Sequence, residues 1–113
     1  MAGVGTSKIF EDDRIILWEF VLEPGERTEV HTHEHDYLFY VLEGSRLEVF
    51  DEKGGPLGAF TANTGDVFPL RCEGGELVST NGRGLRVPAT HSARNAGATR
   101  YREVLVETKR PAG

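Results

Sequence analysis

Three of the four histidines of this chain fall within five residues, His31, His33 and His35, in the segment Glu29-Val30-His31-Thr32-His33-Glu34-His35-Asp36-Tyr37. In an extended strand, residues two apart project from the same face, so the three imidazoles would form one row, and two of them suffice to grip a single metal ion. An ordinary half-buried strand would place apolar residues at the opposite parity. That parity holds Thr32, Glu34 and Asp36 instead, so amphipathic packing does not account for the segment. The competing accounts are an exposed loop with incidental histidines and a tract that takes up metal nonspecifically. The segment is internal and flanked by strand-like sequence, so it is not a purification tag.

The elements that must position these histidines are strands. Fourteen glycines and five prolines punctuate short β-rich runs, and no stretch sustains the i, i+3, i+4 apolar pattern of a helix for a dozen residues. Candidate strands cover Lys8-Phe10, Arg14-Leu22, Thr28-His33, Tyr37-Glu43, Arg46-Asp51, Gly58-Thr61, Val67-Leu70, Glu76-Ser79, Leu85-Val87, His91-Asn95 and Tyr101-Thr108. Turn signals separate them at Glu23-Pro24-Gly25-Glu26, Glu43-Gly44-Ser45, Glu52-Lys53-Gly54-Gly55-Pro56, Asn63-Thr64-Gly65-Asp66, Gly74-Gly75 and Asn81-Gly82. Their spacing of about eight to twelve residues suits an all-β sandwich or closed barrel. The runs Tyr37-Leu38-Phe39-Tyr40-Val41-Leu42 and Ile15-Ile16-Leu17-Trp18-Glu19-Phe20-Val21-Leu22 are so nearly continuous in apolar character that both are expected to be buried on two faces. A partner subunit could supply the second cover and hide an open sheet edge, so a homodimer is expected.

With 113 residues, one domain spanning 1–113 is expected, burying about two-thirds of its unfolded surface. Thirteen Lys and Arg against 18 Asp and Glu give a net charge of -5, and the basic residues form no run. Nucleic acid and an anionic membrane surface are therefore not expected as partners. The first eight residues lack the charged and apolar regions of a secretory signal and no apolar run has membrane-spanning length, so a soluble, cytoplasmic protein is expected. Cys72 is the only cysteine, which excludes an intrachain disulfide and a dithiol redox site.

The segment Pro24-Gly25-x5-His31-x-His33-x3-Tyr37-x6-Gly44 resembles the first cupin motif, G-x5-H-x-H-x3-4-E-x6-G. The second motif, G-x5-P-x-G-x2-H-x3-N, is approximated by Gly82-x5-Pro88-x2-His91-x3-Asn95, preceded by the Gly-Asp-Val turn Gly65-Asp66-Val67. The resemblance covers most of the chain and implies a cupin-type jelly-roll β-barrel. It further implies that His31, His33 and His91 meet inside the barrel as ligands of a divalent metal. Three neutral imidazoles suit iron, zinc, nickel, copper or manganese, whereas calcium and magnesium prefer oxygen. Three protein ligands leave positions open for water or substrate, unlike closed structural zinc sites.

Two departures from the motifs bear on the chemistry. Tyr37 stands where cupins often carry a fourth, glutamate ligand, and a phenol with a pKa of about 10 is a poor divalent ligand near neutral pH. The resemblance is therefore to three-histidine cupin dioxygenases. Tyr37 shares the strand parity of His31 and His33, so it is either a hydrogen-bonding or acid-base group in the cavity or an aromatic core residue. In the second motif the usual glycine is missing between Pro88 and His91, and the stretch from Phe68 to Val87 reads as an inserted hairpin that caps the barrel mouth or serves the dimer. His35 is expected beside the metal ligands without binding the ion, or at the barrel mouth, with ligation as the alternative. Arg46, Arg86 and Arg94 lie on candidate strands, yet none stands out as a carboxylate anchor over the solvated surface role usual for arginine.

Three functional classes follow. The first is a metal-dependent dioxygenase or related oxidoreductase, with Fe(II) held by the three histidines. The second is a redox-neutral isomerase, lyase or hydrolase-like enzyme using the metal as a Lewis acid. The third is a noncatalytic metal or small-ligand binding module. Fold alone does not choose among them.

Overall fold

The computed structural model describes residues 5–82 and 84–109. Among them are eleven strands and no helix: β1 (Ser7–Glu11), β2 (Ile15–Leu22), β3 (His31–Thr32), β4 (Asp36–Glu43), β5 (Ser45–Phe50), β6 (Pro56–Ala62), β7 (Val67–Glu73), β8 (Glu76–Ser79), β9 (Arg86–Pro88), β10 (Thr90–Asn95) and β11 (Tyr101–Thr108). They form a seven-stranded sheet, β1-β2-β11-β4-β7-β8-β9, and a four-stranded sheet, β3-β10-β5-β6. The chain passes repeatedly from one sheet to the other, the winding of a jelly roll. No helix of the described residues is long and apolar enough to cross a membrane.

Every expected strand is present, nine of the eleven with shifted bounds and two of these with an end displaced by three residues. The segment expected over Thr28-His33 pairs regularly only at His31–Thr32. Upstream, the Thr28 hydroxyl takes the Ala93 N–H at 3.0 Å, so a side chain stands in for part of the backbone ladder. The segment expected over Val67-Leu70 runs on to Glu73. There the two-residue Gly74-Gly75 turn joins it to β8, with Glu73 paired to Glu76. Both glycines have positive φ, 57° and 81°, the conformation that matches hairpin twist and disfavours residues with a Cβ.

The expectation of strands buried on both faces is corrected. In β4, Tyr37, Phe39 and Val41 point into the core, while Leu38 and Tyr40 are 41% and 44% exposed. In β2 only Phe20 and Leu22 are buried and the remainder are half-buried. One face of the large sheet packs on the barrel interior, and no described segment covers the patch formed by Leu38, Tyr40 and neighbouring Val67 on the other. A continuous apolar run thus encodes one interior row and one outward apolar row, the surface a homodimer of the expected kind would have to cover.

The stretch from Phe68 to Val87 is also not a detached cap. It forms β7, β8 and most of β9, pairs with β4 through Tyr37↔Leu70 and Phe39↔Phe68, and contributes Phe68, Leu70 and Leu77 to the core. Its two expected turns are present, and it extends the large sheet instead of standing apart from it.

Candidate metal centre

Strand pairing brings the distant histidine to the clustered ones. β3 and β10 run antiparallel with His91 directly opposite His31 and Thr90 opposite Thr32. His33 follows β3 and stays anchored to the same edge, its N–H donating to the Ala89 carbonyl at 2.9 Å. Alternation keeps His31 and His33 inward and leaves Thr32 and Glu34 exposed. The imidazoles of His31, His33 and His91 form a triangle with ring centroids 4.8 to 5.0 Å apart. Each offers one nitrogen, and these nitrogens all lie within 4.8 Å of one another. His35 is half-buried and outside this group.

Backbone carbonyls select the tautomer of two rings. His31 Nδ1 lies 3.0 Å from the Glu29 carbonyl and His91 Nδ1 2.7 Å from the Pro88 carbonyl. A carbonyl only accepts, so in both rings Nδ1–H is the donor and the lone pair is left on Nε2, the arrangement that orients a metal-ligating imidazole. His33 differs: its Nδ1 is the buried side-chain polar atom without a hydrogen-bond partner among the described residues. Such an orphan costs about 1–3 kcal/mol unless something fills the vacancy.

Burial also holds the rings neutral. Desolvation is the main cause that lowers His31 from 6.5 to about 4, with the neighbouring His91 adding to it. Desolvation lowers His33 to about 2, with the two other histidines contributing, and it lowers His91 despite the opposing Pro88 hydrogen bond. Three buried, neutral, convergent imidazoles, two already locked with Nε2 free and one with an orphaned nitrogen, fit a divalent transition ion.

The large sheet supplies the opposite wall. The ring of Tyr37 stacks on His33 with centroids 4.3 Å apart and planes 10° from parallel. Burial first, then the nearby Glu103, pushes its phenol well above 10, so it remains a neutral hydroxyl. Glu103, on β11, is 5% exposed and accepts a hydrogen bond from the hydroxyl of fully buried Tyr101 at 2.5 Å. Desolvation pushes its carboxyl up to about 8, against the downward pull of that bond. Between the walls lies a cavity of about 70 Å³ lined by the three histidines, Tyr37, Glu103 and ten apolar residues. Leu85 and Val87, just before and within β9, are among the ten, so the segment read as an insertion contributes part of this wall.

Other residues singled out in the sequence serve structure. Asn95, fully buried, donates to the Leu22 and Thr99 carbonyls and accepts from Ser45 Oγ and the Gly97 N–H, which satisfies its amide and ties together both sheets. Gly44 sits where a Cβ would lie 2.4 Å from the Ala62 carbonyl oxygen. Arg86 pairs with Glu76 and Arg94 with Glu48 at the surface, and Arg46 is exposed. Among the described residues no arginine or lysine lines the cavity. Cys72 donates its thiol hydrogen to the His33 carbonyl at 3.3 Å, which helps to hold the backbone of that histidine.

Glu103 was not legible as a site residue. On β11 the inward row is Tyr101, Glu103, Leu105 and Glu107, and the other parity, with Val104 and Val106, faces outward. The available signal is the alternation itself, because choosing one parity fixes all others. Each parity holds two apolar residues, so apolar content alone does not select the inward one.

No family model matches the sequence, and no curated protein matches it. Similar solved structures do exist. A cupin domain protein from Bordetella pertussis superposes with a TM-score of 0.67 over 92% of this chain and 91% of that one, at 18% identity. A double-stranded β-helix protein from Klebsiella pneumoniae gives 0.58 over 95% and 77%, also at 18% identity. A sugar phosphate isomerase of the cupin superfamily from Silicibacter pomeroyi gives 0.53 over 88% of this chain but only 53% of that one, at 20% identity. Together with the two-sheet jelly roll described above, these likenesses show that the chain has the cupin fold.

Proposed function

We propose that this chain is a small-molecule metalloenzyme whose divalent ion is held by His31, His33 and His91, with Fe(II) favoured and dioxygenase-type chemistry as the leading reaction class. The observation that carries this reading is the convergence of three buried neutral imidazoles on a half-open, mostly apolar cavity. When bound, such an ion supplies open coordination positions for substrate and, if redox-active, electrons for O2 chemistry. The chain's own contribution is to orient the rings through Glu29 and Pro88, to exclude bulk water, and to present the Tyr37 hydroxyl as a neutral hydrogen-bonding group. Tyr37 is the proposed catalytic residue in this scheme.

The second reading is a redox-neutral isomerase or lyase in which the ion acts as a Lewis acid. What favours it is the pair of protonatable groups, Tyr37 and Glu103, in one cavity, the equipment of proton-transfer chemistry. The Silicibacter pomeroyi neighbour is described as a sugar phosphate isomerase; among the described residues no Lys or Arg lines this cavity, so a phosphate group would have only the proposed ion to pair with. Metal analysis of protein purified without a nickel column, followed by O2-consumption assays over a metabolite panel, separates the readings. Iron-loaded anaerobic protein that binds nitric oxide and consumes O2 with a substrate supports the first. Zinc-filled protein that consumes no O2 supports the second, and protein that takes up no metal overturns both.

A further inference from the structure

The wall facing the histidines carries a carboxyl group that the metal reading leaves unused. Glu103 lies mid-strand on β11, between Phe20 of β2 and Val41 of β4 by register. Those neighbours are apolar, and the side chain is buried at the cavity surface, where it accepts a hydrogen bond from the Tyr101 hydroxyl. Among the described residues no Lys or Arg faces it: the arginines nearest in sequence, Arg100 and Arg102, turn away into surface ion pairs with Glu43 and Glu19. Ten of the fifteen lining residues are apolar and none is Lys or Arg.

We propose that this cavity binds a small, uncharged and largely apolar organic molecule, hydrogen-bonded through a single polar atom to the carboxyl group of Glu103, and that in the metal-free protein it discriminates against phosphorylated metabolites. A phosphate group brought against Glu103 in the metal-free protein would lose its hydration with no Lys or Arg among the described residues to replace it, and burying an unpaired charge is among the costliest steps available to a binding site. An uncharged ligand pays no such penalty and gains from the apolar lining. The raised pKa of Glu103 agrees with this: at neutral pH its carboxyl is mostly protonated, so it donates to a carbonyl or hydroxyl oxygen without placing a charge in the cavity. The volume of about 70 Å³ restricts the ligand to a few non-hydrogen atoms. This inference rests on the cavity being the ligand site proposed above, but not on the identity of the metal.

The test uses the full chain, metal-free and zinc-loaded, titrated with 2-butanone and with dihydroxyacetone phosphate while methyl resonances of Leu47, Val49 and Leu105 and the side-chain carboxyl carbon of Glu103 are followed by NMR. Butanone should shift the methyl and carboxyl resonances together in the metal-free protein, and dihydroxyacetone phosphate should leave them in place at equal concentration. Glu103→Leu should weaken butanone binding about tenfold, the worth of one buried hydrogen bond, whereas Glu103→Gln, which keeps a donor, should stay within about threefold of the parent. Butanone that binds without moving the Glu103 carboxyl resonance, butanone that does not bind, or phosphate that shifts the same methyls in the metal-free protein would each overturn the inference. The carboxyl resonance decides the matter even if Glu103→Leu fails to fold. Zinc uptake without butanone binding sinks this inference alone, whereas butanone binding without metal uptake sinks only the metal reading.

Discussion

The two walls of the cavity bury titratable groups in opposite chemical families and arrive at the same result. On the small sheet, desolvation lowers the three histidines, so the rings shed their protons. On the large sheet, desolvation raises Glu103 and Tyr37, so the acids keep theirs. One physical cause, the removal of water, neutralises bases and acids alike because it penalises whichever form is charged. The difference lies in what each wall offers once neutral: lone pairs from the histidines, hydrogen-bond donors from Tyr37 and Glu103. A cation belongs against the first wall and an oxygen-bearing ligand against the second.

The largest expected effect falls on the small sheet. His91→Ala should strip the protein of most bound metal, as should His31→Ala or His33→Ala, measured by elemental analysis after dialysis. Full occupancy in the His91 variant would break the comparison, because the first wall would then not be the metal-binding one.

The next effect is the pH dependence of the metal-free protein, where the walls should slope in opposite directions. The histidines have folded pKa values below 6.5, about 4 for His31 and about 2 for His33, so below about pH 6.5 the unfolded chain binds more protons than the folded one. Stability should therefore fall as pH drops from 6.5 through 4, by a few kcal/mol in order of magnitude. Glu103 has a folded pKa raised from 4.5 to about 8, so the folded chain binds the extra proton and stability is lost as pH rises across that window. Thermal melts should show Glu103→Gln gaining on the parent between pH 4.5 and 8 and holding a constant lead above 8. A gap that does not change with pH would mean that Glu103 is already ionised in the fold.

A smaller change is expected at Tyr37. Tyr37→Phe should retain the stacking on His33 and the metal while slowing turnover, since only the hydroxyl is removed. Loss of metal in that variant would make the phenol a ligand and shift Tyr37 from the donor wall to the metal wall. The smallest effect belongs to His35, which lies outside the triangle: His35→Ala should leave metal content unchanged within error, and a strong loss would add a fourth ligand.

Much of this was written locally. The i, i+2 spacing of His31 and His33 demands only one extended segment to place both rings on one side, and the Gly74-Gly75 pair suffices for a hairpin turn, so both are readable without knowing the rest of the fold. The run Tyr37-Leu42 shows where local information stops. Its apolar character says strand, but whether Leu38 and Tyr40 are covered depends on what packs on the far side of the sheet.

By itself, then, the sequence determined the strands, their turns, the histidine pair and the resemblance to a cupin, because periodicity, glycine conformation and short spacings act over a few residues. Only the tertiary structure decided that His91 stands directly opposite His31, that the Phe68 to Val87 stretch walls the cavity, and that β11 turns Glu103 inward while Val104 and Val106 face out. Those outcomes depend on the register between strands far apart in the chain. A shift of one residue in that register would invert every side chain involved without altering a single local propensity.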